Sequence, residues 1–91
     1  MSGQISQGGS AVNKTSTGAV TANPCTLIGF YVNSTTSGTL VIKDGTASTG
    51  AAISGTITPA IGFHCFPASC SIGLYVTIAN TLDVTFFYQP G

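Results

Sequence analysis

Residues 71–88, SIGLYVTIANTLDVTFFY, decide the fold class of this chain. Two series of apolar residues alternate with other residues here, one on each side of a turn predicted at Asn80 and Thr81. The inward series comprises Ile72, Leu74, Val76 and Ile78, then Val84, Phe86 and Tyr88, with Tyr75 and Phe87 pointing outward. A period of two is typical of β-strands with one buried face, so this stretch predicts two strands.

The rest of the chain supports the same class. Further strands are predicted at residues 25–33 (CTLIGFYVN), 38–44 (GTLVIKD), 51–58 and 63–66, with turns at 33–38, after Asp44 and at 67–69. Pro59 ends the strand at 51–58 or marks it as an edge strand. The strand at 25–33 is apolar on both parities, which is typical of a strand covered on both faces. We expect a small all-β protein, an antiparallel β-sandwich of six to eight short strands.

The N-terminal residues differ in composition from the rest. Residues 1–23 are rich in Ser, Gly, Thr and Ala with few apolar anchors, so they predict an extended, partly ordered arm ahead of a sandwich domain at 24–91. Strand-like order is expected from about Ala11, with Val12 and Val20 each in a short edge strand. The arm is either a floppy terminus or a segment that orders against a neighbour. No secretory signal or membrane-spanning segment is visible, which predicts synthesis in a cytoplasm or removal of a leader.

Charge is scarce. The charged residues are Lys14, Lys43, Asp44 and Asp83, which is 4% of the 91 residues, and the net charge is zero. A neutral chain lacks the clustered cations that bind nucleic acid, so no nucleic-acid partner is expected. Two carboxylates at predicted turns or strand starts offer little acid–base chemistry, so we expect no enzyme activity and no cofactor. Uncharged strands also lack the lysines that discourage edge-to-edge pairing, which favours assembly.

The single histidine and the three cysteines raise the question of a metal site. His64 and Cys65 are adjacent, with Cys70 and Cys25 further away. Structural zinc takes four N or S ligands, but neighbours on a strand point to opposite faces, so no metal site is expected. The cysteines are interpreted as reduced thiols, and a Cys65–Cys70 bridge across Pro67 stays open.

An outward-pointing apolar set is the candidate functional feature. It comprises Leu27, Tyr31, Val41, Tyr75 and Phe87. Contiguous exposed apolar surface usually marks a partner site, and aromatic residues are enriched in interface cores. These residues are therefore predicted to be covered in the assembled protein, either by the N-terminal arm or by a partner.

Several pieces of the chain, in this order, resemble a known family. They are LIGFYVN at 27–33, GTLVIKDG at 38–45, a loop ending at Gly50, a strand ending in TITP at 56–59, GLYVTI at 73–78 and DVTFFY at 83–88. This order resembles the small β-sandwich virion proteins of tailed bacteriophages, of the capsid decoration or cement type. The cysteines and residues 63–66 lie outside the resemblance.

The resemblance implies a structural role with no catalytic residues. A decoration protein binds the major capsid protein, copies of itself, or both, for example as a trimer, and stabilises the head. It lies on the capsid surface of the virion after synthesis in the cytoplasm of the bacterial host. Two alternatives stay open: a tail or head–tail connector component, and a carbohydrate- or receptor-binding β-sandwich module.

Overall fold

The computed structural model describes residues 10–90, which form six β-strands and no helix. The strands are β1 (Ser10–Lys14), β2 (Gly18–Thr21), β3 (Cys25–Asp44), β4 (Ala51–Ala52), β5 (Gly62–Cys70) and β6 (Leu74–Pro90). All of their pairings are antiparallel and join them in one sheet. The predicted all-β antiparallel class is confirmed. Nothing in residues 10–90 offers a helix long and apolar enough to cross a membrane.

The sheet is built on a ribbon of its two longest strands. β3 and β6 pair along their whole lengths, from Cys25 opposite Pro90 to Asp44 opposite Leu74. A straight strand of the length of β3 would extend about 66 Å, whereas the longest dimension of the molecule is 41 Å. The ribbon is therefore bent.

The bend coincides with register shifts in the middle of the ribbon. β3 shifts against β6 between Val32 and Ser34 and again between Thr36 and Ser37. Bulges of this kind bend strands, and Ser37 and Asn80 adopt positive φ angles of 54° and 62° here. The turns predicted at 33–38 and at Asn80 and Thr81 are wrong, because both strands continue through these residues. The two strands are accordingly longer than the short strands expected.

The bend divides the sheet into two halves. In the first, residues 25–32 of β3 and 84–90 of β6 are flanked by β5 and β1. In the second, residues 39–44 of β3 and 74–79 of β6 are flanked by β4 and β2, and Ile57 bridges to Leu40. We call them the aromatic half and the loop half.

One hydrophobic core joins the two halves. Its buried members from the aromatic half include Leu27, Phe30, Val32, Val84 and Phe86, and those from the loop half include Leu40, Ile42, Leu74 and Val76. The rings of Phe30 and Phe86 lie 5.9 Å apart, centroid to centroid. No helix within residues 10–90 covers this face, and the buried residues of both halves belong to a single cluster.

Several strand boundaries differ from the sequence expectation. Strand order near Ala11 is confirmed, since β1 and β2 contain Val12 and Val20 and pair with β6 of the same chain. The rest of the predicted arm, residues 1–9, lies outside the described residues. The predicted turn at 67–69 is wrong, because β5 runs through Pro67, which an edge strand tolerates. The predicted strand at 71–78 begins only at Leu74, and Ile72 is exposed in the loop before it.

Candidate functional site

The outer face of the aromatic half carries three neighbouring aromatic rings. Tyr31 in β3 lies directly opposite Phe63 in β5, so the two side chains share one face of the sheet. Phe87 in β6 lies opposite Gly29, two residues before Tyr31, and therefore projects from the same face. We call Tyr31, Phe63 and Phe87 the aromatic patch.

A glycine holds the aromatic patch together. A Cβ at Gly29 would lie 2.8 Å from the Phe63 ring and 2.5 Å from the His64 carbonyl oxygen. The absence of a side chain at this position lets the Phe63 ring lie across β3 toward β6. The rings of Phe63 and Phe87 are 6.1 Å apart at 56°, which is a favourable arrangement for an aromatic pair.

The patch is open to solvent. Tyr31 is 42% exposed and Phe63 is 53% exposed, while Phe87 is half-buried beneath its neighbours. Ile28, Cys65 and Ile61 add exposed surface to the same three strands and the loop before β5. Large exposed aromatic side chains on neighbouring strands are unusual for a surface that faces only water, and they are typical of a binding surface.

The predicted interface set is split by the structure. Tyr31 and Phe87 belong to the aromatic patch, whereas Val41 and Tyr75 are half-buried on strands of the loop half. Leu27 is a correction: it is fully buried in the core and cannot present an outward surface. The reason is a register shift between Leu27 and Gly29, which places Leu27 and Phe30 on one face although their parities differ. The expectation that residues 25–33 are covered on both faces is also wrong, because Tyr31 in this part of β3 is exposed.

Phe63 is the member of the aromatic patch that the sequence alone does not indicate. A short apolar strand at 63–66 that ends at Pro67 shows no alternation from which an outward direction could be assigned to Phe63. In the structure, exposure alternates along β5 from Phe63 to Ser69, with the odd-numbered residues exposed. Extending the strand through Pro67 as an edge strand would have revealed this alternation.

Polar side chains border the patch on β1, β3 and β6. The amide groups of Asn13 and Asn33 both donate to Asp83 Oδ1, at 2.7 and 3.3 Å, and to Thr85 Oγ1, at 3.1 and 3.2 Å. Thr85 lies directly opposite Tyr31. The Asp83 carboxylate thus links β1, β3 and β6 beside the patch through its hydrogen bonds with the two amide groups.

The other carboxylate has a structural role in the loop half. Asp44 accepts hydrogen bonds from the backbone N–H groups of Ile72, Ser71 and Gly73 at 2.9, 3.1 and 3.3 Å, and from Ser71 Oγ at 3.0 Å. The bonds from Ile72 and then Ser71 are the main causes that lower the pKa of Asp44 below its ordinary value of 3.8. Asp44 therefore stays ionised and holds the connection between β5 and β6.

His64 and the cysteines do not converge. His64 packs on Phe30, with ring centroids 5.2 Å apart, and its Nε2–H donates to the Ala60 carbonyl at 2.8 Å. Cys65 is exposed on the opposite face of β5, and Cys70 is buried, so a Cys65–Cys70 bridge does not fit the strand. In the described part of the chain, no three His, Cys, Asp or Glu side chains are placed to hold a metal ion.

Comparison with known proteins identifies no relative. The sequence matches no protein-family model and no characterised protein, and no solved structure matches the fold. The aromatic patch is an exposed aromatic surface on a sheet, bordered by hydrogen-bonded polar groups. This geometry suits contact with another molecule.

Proposed function

We propose that this chain is a non-enzymatic virion structural protein of a tailed bacteriophage, a capsid decoration protein that binds the major capsid protein through the aromatic patch. The observation that carries the proposal is the exposure of Tyr31 and Phe63 side by side on the outer face of the aromatic half. The sequence resemblance to small β-sandwich virion proteins supplies the partner. In this proposal the two halves of the bent sheet correspond to the two layers of such a sandwich.

The aromatic patch has the composition of an interface core. Aromatic residues are enriched at the centre of protein–protein interfaces, where they contribute much of the binding energy. Both Tyr31 and Phe63 are held by strands on either side or by packing against Phe87, so little conformational entropy is lost when a partner covers them. A rigid sheet face of this kind suits docking on an equally rigid shell.

The distribution of charge supports a place in a crowded assembly. Strands β2, β4 and β5 carry no Lys, Arg, Asp or Glu, and β1 has only Lys14. Closely packed neutral copies do not repel one another. An edge strand such as β5, without charged residues, is also free to lie against a neighbouring subunit, and that neighbour is the capsid protein or another copy of this chain, for example in a trimer.

Many weak contacts make such a protein effective. A single small patch gives modest affinity, but a shell that displays hundreds of equivalent sites is stabilised by their sum. In this proposal the chain is made in the host cytoplasm and ends on the capsid surface, where it bridges neighbouring capsomers. A tail or head–tail connector component is the closest alternative and uses the same surface at fewer sites.

A carbohydrate-binding module is a second candidate, favoured by the polar border. Exposed aromatic rings beside amide and carboxylate groups are a common arrangement for stacking against sugars. In this chain, however, the Asn13 and Asn33 amide groups and Asp83 Oδ1 already bond to each other, which leaves fewer groups for sugar hydroxyls. We therefore rank this candidate below docking on protein.

The number of copies per particle tests the proposal. Quantitative mass spectrometry of particles purified from the phage that encodes the chain should find it at hundreds of copies, comparable to the major capsid protein. A few copies per particle would favour the tail or connector alternative. Absence from particles, together with glycan binding that is lost in Tyr31→Ala but kept in Ile72→Ala, would replace the proposal with the carbohydrate-binding candidate.

A further inference from the structure

Two buried cysteines face each other at one end of the aromatic half. Cys25 begins β3, Cys70 ends β5, and the two residues are direct partners in the antiparallel register. They are 4% and 3% exposed, and both are free thiols. Directly opposed residues on antiparallel strands have Cα atoms about 4.5–5.5 Å apart, which lies within the range that a disulfide spans.

We propose that Cys25 and Cys70 are a redox pair that forms a disulfide under oxidising conditions and locks the start of β3 to the end of β5. The oxidant is a small disulfide such as oxidised glutathione. A reducing cytoplasm keeps the pair as thiols, and an oxidising medium converts it. The proposal needs only the fold and does not depend on what the aromatic patch binds.

The reaction is a thiol–disulfide exchange in two steps. One thiol of the pair loses its proton and attacks one sulfur of oxidised glutathione, which forms a mixed disulfide and releases a glutathione thiolate that takes up a proton. The other thiol then loses its proton and attacks the protein sulfur of the mixed disulfide, which releases the second glutathione. Two protein thiols are oxidised to one disulfide, and one glutathione disulfide is reduced to two thiols.

The environment of the pair sets the speed of oxidation. Burial raises the pKa of both thiols, that of Cys70 to about 12, and the interaction with the Cys70 side chain offsets part of the rise at Cys25. Both thiols are therefore mostly protonated at neutral pH, whereas the thiolate is the nucleophile. The negative charge of Asp44 adds to the rise at both sites. Oxidation should be slow at neutral pH and faster as the pH increases.

The third cysteine provides a contrast within the same chain. Cys65 lies five residues before Cys70 on β5 but on the opposite, exposed face. Its partner on β3 is Gly29, which bears no thiol. Cys65 should react with the oxidant quickly, but only to form a mixed disulfide or a link between two chains. The Cys65→Ser variant removes both products and isolates the buried pair.

Trypsin makes the pairing easy to read. The chain has no Arg, and its lysines are Lys14 and Lys43, so cleavage after Lys43 separates Cys25 in fragment 15–43 from Cys70 in fragment 44–91. A disulfide between Cys25 and Cys70 keeps the two fragments joined under denaturing, non-reducing conditions. A Cys65–Cys70 bridge would lie within fragment 44–91 and would join nothing.

The experiment oxidises the Cys65→Ser variant with oxidised glutathione, both as the native protein and during refolding from urea. The intact mass of each sample is measured, and the sample is then denatured in the presence of an alkylating reagent and digested. We expect a mass loss of about 2 Da, joined fragments, and a melting temperature at least about 10 °C higher that dithiothreitol returns to the reduced value. Bond formation only on refolding also supports the pair, because the higher melting temperature shows that the bond fits the native fold.

Separated fragments in both samples, or a stable glutathione adduct on Cys25, would overturn the proposal. So would joined fragments with a lower melting temperature, since the bond would then distort the fold. The Cys70→Ala variant with Cys65 intact is the matched control. It should give separated fragments within one chain, because Cys65 and Cys25 lie on opposite faces of the sheet.

Discussion

The aromatic half and the loop half share two strands and one core, but they differ in what their outer faces expose. In the aromatic half, Tyr31 and Phe63 are 42% and 53% exposed. In the loop half, the comparable outward residues Val41 and Tyr75 are half-buried, and Tyr75 lies between Lys43 and Ala19 on neighbouring strands. The same alternation of residues therefore produces a buried inner face twice, while the outward rings of Tyr31 and Phe63 are left more exposed than that of Tyr75.

The largest predicted effect tests whether the two halves are one cooperative unit. Phe86→Ala removes a fully buried ring from the aromatic half, and Leu74→Ala removes a fully buried side chain from the loop half. The free energy of unfolding should fall by about 3–5 kcal/mol in Phe86→Ala and by about 2–5 kcal/mol in Leu74→Ala, because each leaves a cavity in the shared core. Urea unfolding followed by circular dichroism and by tyrosine fluorescence should give coincident single transitions for both variants.

The milder variant Phe86→Leu guards against a chain that simply fails to fold. It keeps most of the apolar volume and should cost about 1 kcal/mol. If one half unfolded at lower urea concentration than the other in any of these variants, the two halves would be separate units and the shared core would be contradicted.

The next effect tests the difference between the outer faces. Tyr31→Thr with Phe63→Thr should weaken binding to decoration-free heads at least about thirtyfold, because a buried aromatic anchor contributes about 2 kcal/mol or more. Threonine keeps the β propensity, so the fold should survive. Binding is measured by co-sedimentation of the purified variant with heads made without this protein.

The matched control changes the loop half in the same way. Val41→Thr with Tyr75→Thr should alter binding less than about threefold, since these side chains are half-buried and lie outside the aromatic patch. Equal losses from both double variants would mean that the distinction between the two outer faces has no functional content.

A smaller effect is expected at Gly29, which lies beneath the patch. In Gly29→Ala the new methyl group would meet the Phe63 ring and the His64 carbonyl oxygen, so β5 must shift. Overpacking of this kind should lower the free energy of unfolding by about 1–3 kcal/mol and also weaken head binding. Gly55→Ala is the control, because a Cβ there meets nothing within 4 Å, and its stability should be almost unchanged. Thermal melts of the two variants make the comparison.

The smallest effect concerns Asp44 in the loop half. Its folded pKa is lowered, so its contribution to stability is fully present above its ordinary value of 3.8 and is lost as the pH falls through the folded pKa. Asp44→Asn should therefore reduce the melting temperature at neutral pH and should flatten the decline of the wild type below about pH 4. Parallel melting curves of the two proteins across this range would contradict the role of Asp44.

Much of the inner face was predictable from the sequence. Val84, Phe86 and Tyr88 point inward as the alternation indicates, with Phe87 opposite, because the register shift here adds a residue to β3 while β6 itself runs regularly against β1. Leu40 and Ile42 are buried for the same reason. Where a strand is regular, a period of two is sufficient to assign both of its faces.

The errors lie where the strands are irregular. The outward direction expected for Leu27 is wrong because the register shifts between Leu27 and Gly29, and the alternation of the sequence does not reveal such a shift. Ser37 and Asn80 did adopt the positive φ angles that turn residues favour, but the chain used them to bend a continuous ribbon. These residues adopt the backbone conformation that turns favour, but the long-range pairing between β3 and β6 determines that the two strands continue through them.

The sequence alone does not predict that Cys25 and Cys70 lie opposite each other. The two residues lie far apart in the chain, and only the pairing of β3 with β5 brings them together. The aromatic patch is predictable in part. The alternation of apolar residues identifies Tyr31 and Phe87 as outward-pointing, but the turn expected at 67–69 obscures the alternation that includes Phe63. Sequence periodicity does not specify which strands pair, and both the cysteine pair and the complete patch depend on the pairing of β3 with β5.

Electron cryomicroscopy of intact particles would show directly whether the chain docks on the head through the aromatic patch. We expect density for this chain at many equivalent positions on the head, with Tyr31, Phe63 and Phe87 covered by a neighbouring subunit and the outer face of the loop half turned away from it. Particles in which the chain is present but the aromatic patch faces solvent, or particles that lack the chain, would contradict docking through this patch.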